Sequence, residues 1–275
     1  MPLTAEQQDL LDAIHRALAD DAGIEAAWLG GSLGRGSGDA FSDVDVVALV
    51  GRGPAGEVGL RYVRDVASIV EPVLVNSLYG GRVLNVVTRE WRRFDISFVE
   101  PGELGRFDAA NLVSLFNKGD RAPPQKVAEP YQAKPATVLD LINEFLRVLG
   151  LSVVAMGREE YVLGLRGVDI LRQLTVDLML EENGVGPIER GGALRRNPML
   201  TMDQRHELQS LPSVTANRES ILAINVELAA IFLPRARQLA GRIGMTWPSA
   251  FEAATRRHLW ERLGMSIDAP PAKGH

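Results

Sequence analysis

Gly30-Gly31-Ser32-Leu33-Gly34-Arg35-Gly36, followed by Ser42-Asp43-Val44-Asp45-Val46-Val47, is the stretch on which the reading of this chain turns. The glycines let backbone approach a ligand closely, and a helix opening near Ser32 would aim free N–H groups and its positive end at an anion. Ile24 to Leu29 is a short apolar run before the glycines, and Val44 to Val50 is a β-branched run ending at Gly51. Both runs predict buried strands, with the glycine loop between them. Side chains alternate along a strand, so Asp43 and Asp45 are expected to project from one face while Val44 and Val46 enter the other. Two like charges so close repel, and a divalent cation relieves the repulsion. Mg²⁺ in particular favours one or two carboxylates completed by water and phosphate oxygens, so the stretch suits a metal-bound triphosphate.

Working outward, Thr4 with Gln7 makes a capping box, and Leu10, Leu11, Ile14 and Leu18 recur at helical spacing until Gly23 stops the helix. A helix is expected around Leu60 to Val70, then strands near Val73 to Tyr79 and Arg82 to Thr88 joined at Gly80-Gly81, a hairpin signal. Arg93 to Val99 alternates Phe94, Ile96 and Phe98 against Asp95 and Ser97. Asp95 therefore sits in the middle of a polar strand face, a third carboxylate. Three carboxylates can hold two metal ions, one activating an attacking hydroxyl and one steadying a phosphate leaving group.

The Pro-rich segment from Arg121-Ala122-Pro123-Pro124 through Pro130 and Pro135 is the clearest composition break, and strand signals end there. The expected organisation is a domain with a mixed sheet flanked by helices over residues 1–122, a linker over 123–134, an all-α bundle over 135–268 and a frayed tail over 269–275. The fold class is α+β. In the bundle, Leu139, Ile142, Leu146 and Leu149 form one apolar stripe, Leu163, Ile170, Leu174 and Leu178 a second, and Leu222 through Leu239 a third.

The 275 residues are 46% hydrophobic, ample for a core, and carry a net charge of −5, which argues against a protein built to grip a nucleic-acid backbone. Cys is absent, which excludes disulfides, thiolate catalysis and Cys-based zinc sites. The N-terminus lacks a secretory pattern and no apolar run approaches the ~20 residues of a membrane span, so a soluble cytoplasmic protein without a membrane partner is expected.

Gly31-Ser32, Asp43-x-Asp45 and Asp95 within Arg93-Phe94-Asp95-Ile96 together resemble the nucleotidyltransferases related to DNA polymerase beta. Within them the chain looks most similar to the antibiotic-modifying branch, which attaches a nucleoside monophosphate to aminoglycosides or lincosamides and carries a C-terminal helical domain. The resemblance covers about residues 24–120 by motif and the helical half by general pattern. It implies ATP or another nucleoside triphosphate as co-substrate with two Mg²⁺ ions held by Asp43, Asp45 and Asp95. Asp95 would also help deprotonate the acceptor hydroxyl. Gly31, Ser32 and Arg35 would meet the phosphates. Leu115 to Asp120 resembles the segment closing the catalytic domain, which brings Lys118 in as a nucleotide ligand, with Asn117 standing where an acidic residue is expected. The partners implied are the triphosphate and a small-molecule hydroxyl acceptor, with a homodimer open. Glu159 and Glu160, just after Gly157, are candidates for a helper carboxylate, and Tyr161 and Trp247 could wall the acceptor pocket.

Rival readings start from the same residues. Gly30-x-Ser32-x-Gly34 also fits the nucleophile elbow of a serine esterase, yet too few strands precede Ser32, and His206 or His258 would have to supply the base from helical, Arg-rich surroundings. An EF-hand fails because Val47 occupies the next ligand position. A toxin–antitoxin type of nucleotidyltransferase, modifying a protein or an RNA, is the rival of another class. The acidic residues Asp140, Glu144, Asp169, Asp177, Glu181 and Glu182 of the helical half would suit a polycationic acceptor, although a solvated helix face accounts for them as well.

Overall fold

Thr4 opens the first helix, α1 (Ala5–Asp20): its hydroxyl accepts from the Gln7 N–H at 3.1 Å while its own N–H donates to Gln7 Oε1 at 2.9 Å. The face bearing Leu10, Leu11, Ile14 and Leu18 is buried, as the spacing predicts. The computed structural model describes residues 3–127, 129–190 and 196–267. The chain divides into two units, Met1–Ala128 and Glu129–His275.

In the first unit α1 leads into β1 (Ile24–Leu29), the single turn α2 (Gly31–Gly34), β2 (Val44–Val50) and α3 (Ala55–Asp65). Then come β3 (Pro72–Leu78), β4 (Val83–Thr88), β5 (Arg93–Val99) and β6 (Val113–Asn117). The six strands form one sheet in the order β3-β4-β5-β2-β1-β6. Only β2 and β5 run parallel, so the sheet is mixed. Val44, Val46, Phe94, Ile96 and Phe98 share the main core with α1 and α3. The opposite face carries a smaller cluster of Ala26, Trp28, Val47, Leu49, Val99 and Leu104. That cluster stops at Val47 on β2 and Val99 on β5, leaving the N-terminal ends of these two strands free for polar side chains.

Two elements depart from expectation. The helix anticipated over 60–70 starts at Ala55 and gives way to a 3-10 turn over Val66–Ser68. Gly56 and Gly59 conceal its first turn in the sequence because glycine is a poor helix former. Their reason is tertiary, since a Cβ on Gly56 would lie 2.4 Å from the Gly80 carbonyl and one on Gly59 1.7 Å from that of Gly81. The helix packs backbone-to-backbone on the β3–β4 hairpin. The second departure is β6, an edge strand antiparallel to β1 whose residues are mostly exposed, so no alternation betrays it.

The regular elements of the second unit's described residues are helices: α4 (Pro135–Gly157), α5 (Tyr161–Glu182), α6 (Pro187–Arg190), α7 (Met202–Gln209), α8 (Arg218–Arg242) and α9 (Ser249–Leu263). Phe145 of α4 stacks on Phe232 of α8 with ring centroids 3.8 Å apart at the centre of the core. The stripe expected on α5 is corrected: Leu163 and Ile170 are exposed, and the buried face is Gly164, Val168, Leu171, Thr175 and Leu178. Thr175 hides its hydroxyl by donating to the Leu171 carbonyl at 2.8 Å, which is how a polar residue can hold a core position. The tail expected over 269–275 lies outside the described residues. Among the described residues no helix is long and apolar enough to cross a membrane.

Candidate active site

Asp45 enters the sheet opposite Asp95: the two are register partners on the parallel pair β2 and β5, on neighbouring strands about 4.8 Å apart. Both lie on the face away from α1 and α3, because Val44, Val46, Phe94 and Ile96 occupy the alternate positions in the main core. Asp43 precedes the first β2 residue, so it stands at the strand entrance rather than within the strand. The three carboxylates nevertheless feel one another. Burial, then the charges of Asp43 and Asp95, push the Asp45 carboxyl up to about 6, with Arg35 and Arg93 pulling the other way. Burial is also the chief cause raising Asp95, with Asp43 adding to it, while a hydrogen bond from Asn85 and the charge of Arg93 oppose it.

The loop ahead of Asp43 is held from three sides. Its own turn is closed by Asp39 and Ser42, with the Asp39 N–H donating to Ser42 Oγ at 3.0 Å and the Phe41 N–H to Asp39 Oδ1 at 3.0 Å. From α1, the buried Gln7 amide donates to the carbonyls of Asp39 at 2.8 Å and Ser42 at 2.9 Å. From β5, Arg93 Nη2 donates to the Phe41 carbonyl at 3.1 Å. The capping residue of α1 thereby also anchors the entrance to β2.

On the other flank, the Gly30 N–H donates to the Asp45 carbonyl at 2.8 Å and the chain turns directly into α2. Gly31 has φ +58, and a Cβ there would lie 1.6 Å from Asp45 Oδ2. No other residue fits against this carboxylate. The single turn of α2 is too short for a substantial dipole, so the anion-binding capacity rests on the N–H groups of Ser32 and Leu33, which have no carbonyl four residues back within the turn. Arg35 is exposed and its charge reaches Asp45.

Three hard oxygen donors with mutual repulsion form a donor set that fits Mg²⁺. Among the described residues no three His, Asp or Glu side chains already converge into a cage. Mg²⁺ does not require one, since it characteristically keeps waters and takes substrate phosphate oxygens beside one or two carboxylates.

Lys118 does not join this site. Its N–H pairs with the Glu25 carbonyl, at the opposite end of β1 from Gly30, so it stands about 17 Å along the strand from the carboxylates. There Lys118 Nζ donates to the Asp21 carbonyl at 2.8 Å, just past the end of α1, and lies over the Phe116 ring. Lys118 thus lies toward the far end of β1 from the motif, because β6 runs antiparallel to β1 and carries its C-terminal end away. Glu159, Glu160 and Tyr161 belong to the second unit, at the α4–α5 junction. The two carboxylates are exposed, Glu159 with φ +57, and Tyr161 packs partly against the helical core. Trp247 packs against the same core and donates from Nε1 to Glu252 at 2.7 Å.

Gln7, Asn85 and Arg93 are the site residues the sequence did not disclose. Asn85 alone leaves a signal: it is a polar residue in the middle of an otherwise apolar strand. The first unit's single histidine, His15, stacks on Phe116 of β6.

No family model matches the chain, and no curated protein does. Among solved structures it is similar to an aminoglycoside 6-adenyltransferase from Bacillus subtilis, at 14% identity over 92% of this chain and 96% of that one, with a TM-score of 0.42. It is similar to a CCA-adding enzyme at 13% identity over 91% of this chain and 68% of that one, with a TM-score of 0.35. A cyclic dinucleotide synthase from Elizabethkingia meningoseptica matches at 12% identity over 95% and 92% of the two chains, with a TM-score of 0.28. The resemblance to the nucleotidyltransferases related to DNA polymerase beta is carried by Gly31-Ser32, Asp43-x-Asp45 and Asp95.

Proposed function

We propose that the chain is an enzyme that moves a nucleoside monophosphate, AMP from ATP, onto a hydroxyl of a small molecule of the aminoglycoside or lincosamide kind and releases pyrophosphate. The observation that carries this reading is Asp45 paired directly with Asp95 across β2 and β5, with the Gly31 backbone pressed against the Asp45 carboxylate. Asp43 and Asp45 would hold two Mg²⁺ ions and Asp95 one of them; bound there, the ions would neutralise the carboxylates and polarise the triphosphate. Asp95 receives the acceptor's hydroxyl proton as that oxygen attacks the α-phosphorus in line. The bond from the α-phosphorus to its bridging oxygen breaks, and pyrophosphate departs toward the N–H groups of Ser32 and Leu33. Gln7 and Arg93 keep the loop before Asp43 in place while this occurs.

The test is incubation with α-labelled ATP, Mg²⁺ and a panel of aminoglycosides and lincosamides. Label is expected on an acceptor with the natural protein, falling by on the order of 10³-fold for Asp95→Asn, as for loss of a general base. Equal transfer by an Asp43→Asn, Asp45→Asn double variant would sink the assignment, and label on a protein or an RNA alone would replace the small-molecule acceptor.

A further inference from the structure

A polar row crosses four neighbouring strands at the level of the carboxylates. Asn76 of β3 is the register partner of Asn85 on β4, Asn85 that of Asp95 on β5, and Asp95 that of Asp45 on β2. The row is bonded as well as aligned: Asn85 Nδ2 donates to Asp95 Oδ1 at 2.6 Å, and Asn76 Nδ2 donates to Asn85 Oδ1 at 3.4 Å. Among the described residues Asn85 is the one hydrogen-bond partner of the Asp95 carboxylate. Its backbone is fixed by its neighbours Leu84 and Val86, both wholly buried in the main core.

We infer that Asn85 is a positioning residue for the reaction, fixing Asp95 so that one carboxylate oxygen is committed to the amide and the other is presented to the reacting centre. This rests on the nucleotidyl-transfer reading above. A carboxylate on a strand can rotate about χ2 at little cost, so Asp95 beside Asp45 would swing away from its like charge unless restrained. The Asn85 amide supplies that restraint from the side opposite Asp45, through a short charge-assisted hydrogen bond. The orientation of the amide is set by Asp95, since a flipped Asn85 would turn its oxygen against the carboxylate, and Asn76 donates to the oxygen on the outer side. The result is that Asp95 is held in one orientation by a bond from the neighbouring strand, without any residue from the glycine loop.

The experiment is a double-mutant cycle on the full chain, reading Mn²⁺ affinity by electron paramagnetic resonance in the presence of α,β-methylene-ATP, which cannot transfer its nucleotide. Asn85→Leu is expected to weaken Mn²⁺ binding by about 10-fold or more, as for removal of an outer hydrogen-bond partner of a metal ligand. In an Asp95→Asn background the same substitution should change nothing further. With any acceptor that takes label, Asn85→Leu should lower kcat at saturating Mg²⁺ and ATP. Unchanged Mn²⁺ affinity in Asn85→Leu overturns the inference, and so does an equal loss in both backgrounds. If Asn85→Leu proves misfolded by circular dichroism, Asn85→Ser, whose hydroxyl is too short to reach Asp95, should give the same loss. A natural protein that binds no Mn²⁺–nucleotide complex would instead remove the nucleotidyl-transfer reading, and this inference with it; retention of binding in the natural protein with an inert Asn85 removes the inference alone.

Discussion

Gly31 and Asp45 show how one side chain's absence makes room for another's charge. The left-handed φ of Gly31 and the 1.6 Å that would separate a Cβ from Asp45 Oδ2 are independent obstacles to any substitution. Gly31→Ala is expected to cost about 1–2 kcal/mol from the backbone conformation alone. It should also displace the Asp45 carboxylate and abolish label transfer, which urea unfolding and the α-labelled ATP assay would register together. Asp45 makes a pH prediction. Its folded carboxyl titrates near 6, above its ordinary value of 3.8, so the folded state holds the proton more firmly than the unfolded chain. The charged form therefore destabilises the fold fully above pH 6, by on the order of 3 kcal/mol, and this penalty disappears as the pH falls from 6 toward 3.8. Asp45→Asn should melt at a higher temperature than the natural protein at pH 7.5, with the difference gone near pH 4. Mg²⁺ should raise the melting temperature of the natural protein at pH 7.5 and have little effect on that variant.

The elements around the site are joined by side chains whose roles become visible only when strands and helices meet. Gln7 completes the cap of α1 by accepting from the Thr4 N–H and, through its amide nitrogen, holds the Asp39 and Ser42 carbonyls of the loop entering β2. Gln7→Ala removes these bonds and leaves two carbonyls without their donor, a loss of about 1–3 kcal/mol measurable by urea denaturation. It should also weaken Mn²⁺ binding through a looser Asp43. A Gln7→Ala variant with the natural Mn²⁺ affinity would show that Arg93 and the loop's own turn suffice to anchor it. At the α4–α5 junction Glu159 adopts φ +57, a conformation that glycine takes without strain. Glu159→Gly is expected to raise stability by up to about 1 kcal/mol. If Glu159 and Glu160 contact a cationic acceptor, the same substitution raises the KM for that acceptor while leaving the KM for ATP as it was.

The molecule as a whole consists of two units with separate cores, one built on a mixed sheet and one on helices. Between β6 and α4 the described residues form no helix or strand and are largely exposed. Limited proteolysis is expected to cut first within residues 121–134, giving two fragments on a gel; first cleavage inside α4 or β5 would contradict this division. Phe145→Ala should destabilise the helical unit by about 3–5 kcal/mol, since it removes one partner of a fully buried stacked pair.

The strands β1, β2 and β5 were legible to the residue because burial on one or both faces writes itself into alternation or a continuous β-branched run. The glycine turn and the three carboxylates were legible because their chemistry is local to short motifs. What local pattern could not supply was the partner of each of these groups. Lys118 ends a segment expected at the site, yet it stands about 17 Å along β1 from the level of the carboxylates, because an antiparallel edge strand carries its C-terminal end away. On α5 the apolar residues Leu163 and Ile170 face outward, since close helix packing accepts Gly164 and an internally bonded Thr175 in their stead. Gln7 of α1 and Arg93 of β5 hold the loop before Asp43 and Asn85 holds Asp95 from the next strand, and only strand register and helix placement bring a donor to an acceptor that is 10 to 52 residues away along the chain.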